Sequence, residues 1–299
     1  MKVTLAESAG FCFGVQRAVD VVKKQIEEGH KPLYTYGPII HNEEVVREFE
    51  ANGVQVMDEN HIEDYPAGTV IIRSHGVTRQ VEDLLKSKGH EIIDATCPFV
   101  KKIHRAVDEH SKAGEYIVII GNPEHPEVRG IVGWINGDNY CVIPNEQAAC
   151  DFSVNSRFNI CIVSQTTFNH NKFQELVEII KQKGYDIIVL NTICDATNKR
   201  QVEAAEIASK VDAMLVIGSR NSSNTQKLYE ICKTRCNDTY YILTADDFQP
   251  SDLGSIESVG ITAGASTPNN IIEEVQKKCQ KCVLNKCWRN HLKLYTMER

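Results

Sequence analysis

Three of the eleven cysteines in this chain occupy matching places in the sequence. Each ends a β-like run and precedes a stretch with the apolar spacing of an amphipathic helix. The three are Cys12 after KVTLAESAGF, Cys97 after HEIIDAT and Cys194 after YDIIVLNTI. A helix N-terminus lowers the pKa of a thiol, so each is a candidate nucleophile or metal ligand. The shared context favours one role for all three.

Five other cysteines lack this context. Cys141 and Cys161 lie inside apolar strand-like runs, and Cys150, Cys232 and Cys236 have ordinary surroundings. The odd total and the irregular spacing argue against a disulfide framework. We therefore expect these five to be structural thiols.

Three equivalent thiolates suit one 4Fe–4S cluster with three cysteine ligands and one open iron. A closed zinc site normally takes four ligands, often from tight pairs of cysteines, and these three have no such pairing. An open iron suits a reduction that expels a substrate oxygen. The alternative is that three buried cysteines coincide with repeat positions.

Polar residues occupy other strand ends in the same way. A single histidine is usually structural, but here His, Ser, Thr and Asn recur at equivalent places: His41, His75, His125, Thr166, Thr167, Ser222, Ser223, Asn224 and Ser266. With the free N–H groups of helix N-termini, such side chains can bind a phosphate or diphosphate. Arg73 and Lys101 lie near these motifs, and we expect them at the periphery of the site or on the surface.

The segment 121–127, GNPEHPE, is the densest group of ionisable residues. Glu124 and Glu127 are both candidate proton donors, because a carboxyl group away from water can keep its proton near neutral pH. Either residue is equally suited to the first turn of a helix, where an acidic side chain favours the dipole. The residues alone leave the choice open.

A threefold repeat must position these residues. Each unit reads as four strands alternating with helices, which predicts α/β units with mainly parallel four-stranded sheets and a pseudo-threefold arrangement around the cysteines. In such sheets ligands collect at the carboxyl ends of the strands. We expect units at residues 1–96, 97–193 and 194–281, followed by a variable tail at 282–299.

Composition narrows the class of protein. The net charge is −7 and no Lys/Arg run exceeds two residues, which argues against nucleic-acid or membrane binding. No apolar run approaches the roughly 20 residues of a membrane span, and the N-terminus does not read as a signal peptide. We expect a cytoplasmic protein.

These motifs together resemble the 4-hydroxy-3-methylbut-2-enyl diphosphate reductase family, also called IspH or LytB. The resemblance covers about residues 1–280. It rests on GFCFGV, GPIIHN, RSHG, DATCP, GNPEHPEV, SQTT, NTICDAT, GSRNSSNT and GAST, which contain the residues singled out above.

The resemblance implies a trefoil of three α/β units around a central 4Fe–4S cluster. The substrate hydroxyl would bind the open iron and leave as water, giving isopentenyl and dimethylallyl diphosphates in the last step of the non-mevalonate isoprenoid route. Glu127 would be the proton donor, with His125 and Thr166 helping to deliver protons and order the substrate. The diphosphate would be held by His41, His75, Ser222, Ser223, Asn224 and Ser266. Reduced ferredoxin or flavodoxin would supply electrons to a monomer.

Two rival functions remain at the level of sequence. A quinolinate-synthase-like dehydratase would share the cluster but not the EHPE and SSN patterns, and a non-catalytic Fe–S sensor or electron carrier would not need the polar residues. The tail adds Cys279, Cys282 and Cys287, which with His291 suggest a zinc or second cluster site. We favour a variable terminus instead. Its basic character also suggests, weakly, docking of an acidic electron donor.

Overall fold

Strands and helices alternate along the chain in a computed structural model that describes residues 2–155, 157–249, 253 and 256–281. The strands are β1 Lys2–Leu5, β2 Leu33–Tyr36, β3 Val54–Met57, β4 Thr69–Ile72, β5 Glu91–Asp94, β6 Tyr116–Ile120, β7 Tyr140–Ile143, β8 Ile160–Ser164, β9 Ile187–Val189, β10 Ala213–Ile217, β11 Asp238–Ile242 and β12 Ser258–Ala263. The helices are α1 Phe13–Glu27, α2 Glu43–Ala51, α3 Arg79–Ser87, α4 Pro98–Lys112, α5 Pro126–Val132, α6 Glu146–Asp151, α7 His170–Lys181, α8 Asp195–Ala208 and α9 Ser223–Lys233. Residues 269–281 are also helical.

Within these described ranges the strands form three four-stranded sheets, and all the strand pairs are parallel. The strand orders are β3-β2-β4-β5, β7-β6-β8-β9 and β1-β12-β10-β11. The α/β class with three parallel four-stranded sheets is therefore confirmed.

The three strands that lead to the cysteines, β1, β5 and β9, do not pair as the sequence repeat suggests. In the sequence each of them reads as the first strand of its own unit. In the structure β5 pairs with β4 and β9 with β8, so each lies at the edge of the sheet formed by the preceding strands. At the N-terminus β1 pairs with β12. The reason is that the helix between the fourth strand and the cysteine strand makes an ordinary βαβ crossover, which returns the chain to the same sheet.

Two compact units divide the chain. One comprises Phe13–Asp195 and contains the sheets formed by β2–β5 and β6–β9. The other comprises Met1–Cys12 and Ala196–Arg299 and contains the remaining sheet. The three-unit boundaries with a tail at 282–299 stay a prediction.

The central strands explain where the cores lie. β4, β8 and β10 are buried along their whole length, as expected for strands covered by helices on both faces. Helix starts follow the expected capping chemistry: the side chains of Thr78 and Asn169 accept hydrogen bonds from backbone N–H groups at the start of α3 and α7.

The tail prediction falls mostly on residues outside the described ranges, which include Cys282, Cys287 and His291. Cys279 is described, and it is fully buried in the core beside Val275 and Ile272. Its side chain is part of the hydrophobic core of that unit. Among the described helices, none combines the length and apolar character that crossing a bilayer requires.

Candidate functional site

Three histidines from separate strand ends meet in the unit Phe13–Asp195. His41 follows β2, His75 follows β4, and His125 follows β6 as the N-cap of α5. The ring centroids of His41 and His75 are 4.6 Å apart, and the His125 ring lies 5.7 and 5.4 Å from them. The sequence-predicted histidines are therefore brought together at the carboxyl ends of two neighbouring sheets.

Burial keeps these histidines neutral. It is the main cause that lowers the pKa of His41 to about 4 and that of His125 to about 3, and it holds the pKa of His75 well below its usual range. The positive charge of Arg73 lowers all three further. Because the Glu127 backbone N–H donates to Nδ1 of His125 at 3.2 Å, the ring proton of neutral His125 must lie on Nε2.

Arg73 is the residue whose importance the sequence underestimates. It is only 4% exposed, and its guanidinium pairs with Glu59 at 2.5 Å and lies 5.8 Å from the centre of the Tyr36 ring. A Cβ at Gly37 would collide with this guanidinium. An arginine directly after the apolar run TVII, two positions before His75, was the available signal, since a charge that ends a buried strand needs a partner.

Glu127 and Thr166 form a buried pair next to His125. Glu127 is 2% exposed; its Oε1 accepts a hydrogen bond from the Thr166 backbone N–H at 2.6 Å, and its Oε2 lies 2.7 Å from Thr166 Oγ1. Burial raises the pKa of Glu127, although the Thr166 hydrogen bonds offset part of this effect. The carboxyl group is thus biased towards its protonated form.

The other candidate donor lies in a different environment. The Glu124 side chain is 76% exposed and pairs with Arg129 on the surface. The surrounding water stabilises its carboxylate, so it lacks the burial that would keep a proton near neutral pH.

Two candidate cluster ligands belong to this same unit. Cys97 immediately precedes α4 and Cys194 immediately precedes α8. The Cys97 backbone N–H donates to the Ser74 carbonyl at 2.9 Å, and the Cys194 backbone N–H donates to the Thr166 carbonyl at 3.0 Å. Both cysteines are therefore tied through their backbones to residues next to the histidines or the carboxyl pair.

One of these thiols packs closely against a glycine. A Cβ added to Gly14 would lie 2.6 Å from Cys97 Sγ, so a residue larger than glycine would crowd the sulfur. Cys97 is partly exposed, and its side chain makes no capping hydrogen bond to α4. A partly exposed thiol at a helix N-terminus fits a metal ligand.

The unit Met1–Cys12 with Ala196–Arg299 contains the remaining predicted residues. Cys12 is partly exposed and immediately precedes α1, and its N–H donates to the Ala265 carbonyl at 3.2 Å. Ser222 caps α9, Ser223 and Asn224 form its first turn, and Ser266 follows β12.

The side-chain amide of Asn224 is buried without a hydrogen-bond partner among the described residues. It is 3% exposed, and neither its Oδ1 nor its Nδ2 is bonded. Beside it in α9, Thr225 Oγ1 is also buried and without a partner in the described ranges, and no sequence motif marked this residue. Buried polar atoms without partners are uncommon, and here they mark a place where a polar ligand would satisfy them.

Other cysteines show the expected structural character. Burial raises the pKa of the Cys161 and Cys232 thiols to about 12 and that of Cys141 to about 11. His110, Glu115 and Cys161 lie close enough to suggest a metal site. However, His110 Nδ1 and a Glu115 carboxylate oxygen are 2.7 Å apart and already paired, and the Cys161 thiol is fully buried in an apolar cluster.

Comparisons with known proteins match nearly the whole chain. The model of a family described as "LytB protein" matches residues 3–280. The 4-hydroxy-3-methylbut-2-enyl diphosphate reductases of Thermoanaerobacter sp. (strain X514) and Alkaliphilus oremlandii are 45% and 46% identical. These matches cover 93% and 92% of this chain and 96% and 98% of the relatives.

A solved structure agrees with the sequence matches. The E-1-hydroxy-2-methyl-but-2-enyl-4-diphosphate reductase from Plasmodium falciparum superposes with a TM-score of 0.88 at 29% identity. The superposition covers 92% of this chain and 87% of that one.

Proposed function

The chain belongs to the LytB family of reductases, and we propose that it converts (E)-4-hydroxy-3-methylbut-2-enyl diphosphate to isopentenyl and dimethylallyl diphosphates, the last step of the non-mevalonate route. The reaction consumes two electrons and two protons, breaks the C–O bond to the hydroxyl group, forms a C–H bond and releases water. The observation that carries the proposal is the buried Glu127–Thr166 pair beside three neutral histidines.

Glu127 supplies a proton through Thr166. The Thr166 backbone N–H occupies Oε1 of the carboxyl group, so the acidic proton belongs on Oε2, opposite Thr166 Oγ1. When Oε2 donates to Oγ1, the threonine hydroxyl can turn its own hydrogen towards the departing substrate oxygen. A proton can then pass from Glu127 to the threonine oxygen as the threonine hydroxyl releases its own proton to the substrate oxygen. The raised pKa of Glu127 favours the protonated carboxyl group from which this transfer starts.

The diphosphate is proposed to bind His41, His75 and His125, with Ser222, Ser223, Asn224 and Ser266 as further ligands. Neutral imidazoles can donate hydrogen bonds to a bound anion, and Arg73 adds positive charge near them that the paired Glu59 carboxylate partly offsets. Asn224 contributes an amide group that is buried without a partner in the described ranges. Such donors suit phosphate oxygens.

Cys12, Cys97 and Cys194 would hold one 4Fe–4S cluster with a fourth iron left open. Two features support this assignment: each cysteine directly precedes a helix, and each is partly exposed. When bound, such a cluster supplies electrons and a Lewis-acidic iron.

The reaction needs an external source of low-potential electrons, for which we propose reduced ferredoxin or flavodoxin. We further propose that the enzyme acts as a monomer in the cytoplasm.

Anaerobic purification, iron and sulfide analysis, and assay of the hydroxymethylbutenyl diphosphate with reduced methyl viologen test the function. We expect about four irons per chain and formation of both isomeric products. A chain with an intact cluster and no turnover would contradict the reductase function and favour an electron carrier or sensor. The Glu124→Gln variant is the matched control for carboxylate loss, because Glu124 is exposed.

A further inference from the structure

The loop that leads from β1 to Cys12 is held by two side chains of α8. The Glu203 carboxylate accepts hydrogen bonds from the backbone N–H groups of Glu7 at 2.7 Å and Ser8 at 2.9 Å, and from the Ser8 hydroxyl. Arg200 donates from Nη2 to the Gly10 carbonyl at 2.7 Å. These contacts fix the backbone of residues 7–10, immediately before the cysteine.

The surroundings of Arg200 fix its guanidinium in the position that makes this contact. It is 5% exposed, and its Nη1 donates at 2.9 Å to the Ala196 carbonyl of its own helix, which fixes the direction of the guanidinium. Gly10 has a φ of +101°, and a Cβ there would lie 2.5 Å from Asn269 Oδ1. The loop therefore follows a path that only glycine permits, and Arg200 secures its carbonyl group.

The loop before Cys97 is held in a comparable way by α1. Arg17 donates from Nη1 to the Thr96 carbonyl at 3.1 Å and from Nη2 to the Asp94 carbonyl at 3.2 Å. Thr96 directly precedes Cys97. One guanidinium thus spans the backbone between the end of β5 and the cysteine.

A pattern links the two arginines. Arg17 lies on the helix that begins after Cys12 and holds the loop before Cys97, whereas Arg200 lies on the helix that begins after Cys194 and holds the loop before Cys12. The loop before Cys194 is secured differently, because Thr192 Oγ1 donates to the Ser164 carbonyl and accepts from the Ser164 N–H, both at 2.7 Å.

We propose that Arg200 and Arg17 are positioning residues for the cluster: each extends from the helix after one cysteine and fixes the loop that presents another cysteine thiol. The proposal rests on the cluster assignment made above. Its physical basis is that a metal cluster binds more tightly to thiols whose backbone is already fixed, because less conformational entropy is lost on binding.

The test of the proposal is the rate at which a chelator removes the reconstituted cluster. The loss is monitored under anaerobic conditions by the visible absorbance of the cluster. Loss of a charge-assisted hydrogen bond should make release at least about tenfold faster in Arg200→Gln and Arg17→Gln. Arg200→Lys keeps one donor and should restore part of the lifetime. Arg235→Gln and Arg105→Gln are the matched controls, because both arginines are exposed, and these variants should release the cluster at the wild-type rate.

Amide hydrogen exchange of the full chain separates local positioning from general destabilisation. Arg200→Gln should speed exchange in the peptide covering residues 6–12 but not in that covering 94–97, and Arg17→Gln should do the reverse. Equal acceleration in both peptides would indicate a general structural defect and overturn the proposal. If Arg200→Gln does not fold, Arg200→Lys and Arg17→Gln carry the same test.

Two further results distinguish this inference from the proposed function. A wild-type chain that binds no cluster would overturn both the cofactor assignment and this inference. A wild-type chain that binds a cluster, with Arg200→Gln and Arg17→Gln releasing it at the wild-type rate, would overturn this inference alone.

Discussion

Both carboxyl oxygens of Glu127 are engaged by one residue, Thr166, through its backbone N–H at 2.6 Å and its hydroxyl group at 2.7 Å. This bidentate contact fixes the carboxyl plane and assigns a different role to each oxygen. Oε1 accepts from the backbone N–H, so in the proposed relay the proton would be carried on Oε2, next to the Thr166 hydroxyl.

Replacing Glu127 by glutamine should remove the proton but keep an acceptor for the Thr166 N–H. We expect turnover to fall by about 100-fold or more, the usual contribution of a positioned general acid, while the cluster and substrate affinity are retained. Steady-state assay with reduced methyl viologen measures this change. Glu124→Gln should behave as wild type; a fully active Glu127→Gln enzyme would remove the proton-donor role.

The same carboxyl group predicts how activity depends on pH. Because burial raises the pKa of Glu127, the protonated donor persists to higher pH than for an ordinary glutamate, and activity should decline as pH rises through that pKa. The Glu127→Gln variant should lack this limb. The folded state also binds this proton more tightly than the unfolded state, so the contribution of Glu127 to stability is greatest at low pH and falls as pH rises through its folded pKa.

The histidine cluster predicts proton uptake on anion binding. Free His41 and His125 have pKa values of about 4 and about 3, and a bound polyanion should raise both. Inorganic pyrophosphate should therefore bind more tightly at about pH 6 than at about pH 8. Calorimetry in buffers of different ionisation enthalpy measures the uptake. Binding without uptake or pH dependence would contradict protonation of these imidazoles and leave them only the role of neutral hydrogen-bond donors.

Replacing Arg73 by glutamine should weaken pyrophosphate binding by about tenfold, because the positive charge behind the histidines is lost. The pKa values of the histidines should rise in this variant, since Arg73 lowers them, so the loss should be larger at alkaline than at acidic pH. The exposed Arg129 provides the control variant Arg129→Gln. Equal affinity in the two variants would show that Arg73 contributes only to the fold.

Serine at a cluster ligand should be distinguishable from serine at a structural cysteine. Cys97→Ser is expected to lose or destabilise the cluster, whereas Cys141→Ser should keep it, because Cys141 is a strand residue with a pKa raised to about 11. Iron analysis after reconstitution compares the two. The same iron content in both would contradict the assignment of cysteines.

The sequence predicted the parts of the fold that depend on local patterns. Apolar runs and the polar residues that end them located the strands, and the spacing of apolar residues indicated the helices between them. The pairing of β5 with β4 was not evident, because a repeat in the sequence does not reveal which sheet an edge strand joins. Sheet membership depends on crossovers, which are properties of the folded chain.

In the candidate site, too, some features followed from the sequence and others depended on the folded structure. Residue types at strand ends identified the histidines, and their convergence follows from parallel strands that end on one side. Residue types alone left Glu124 and Glu127 equivalent, and the resemblance implied Glu127; the burial of Glu127 and the exposure of Glu124 support that choice. Arg73 was expected at the periphery of the site or on the surface; its burial and its pairing with Glu59 were not evident, because Glu59 lies in a separate loop that comes close only on folding.

The pairing of β1 with β12 bears on how the protein is made. After its synthesis, β1 has no sheet to join until β12, which ends at Ala263, has been synthesised as well. The sheets of β2–β5 and β6–β9 have all their strands much earlier, so nascent chains can organise the strand ends that carry Cys97 and Cys194 while the segment of Cys12 still waits for its partner. Cys12 is first in the sequence but the last of the three to gain its structural support during translation.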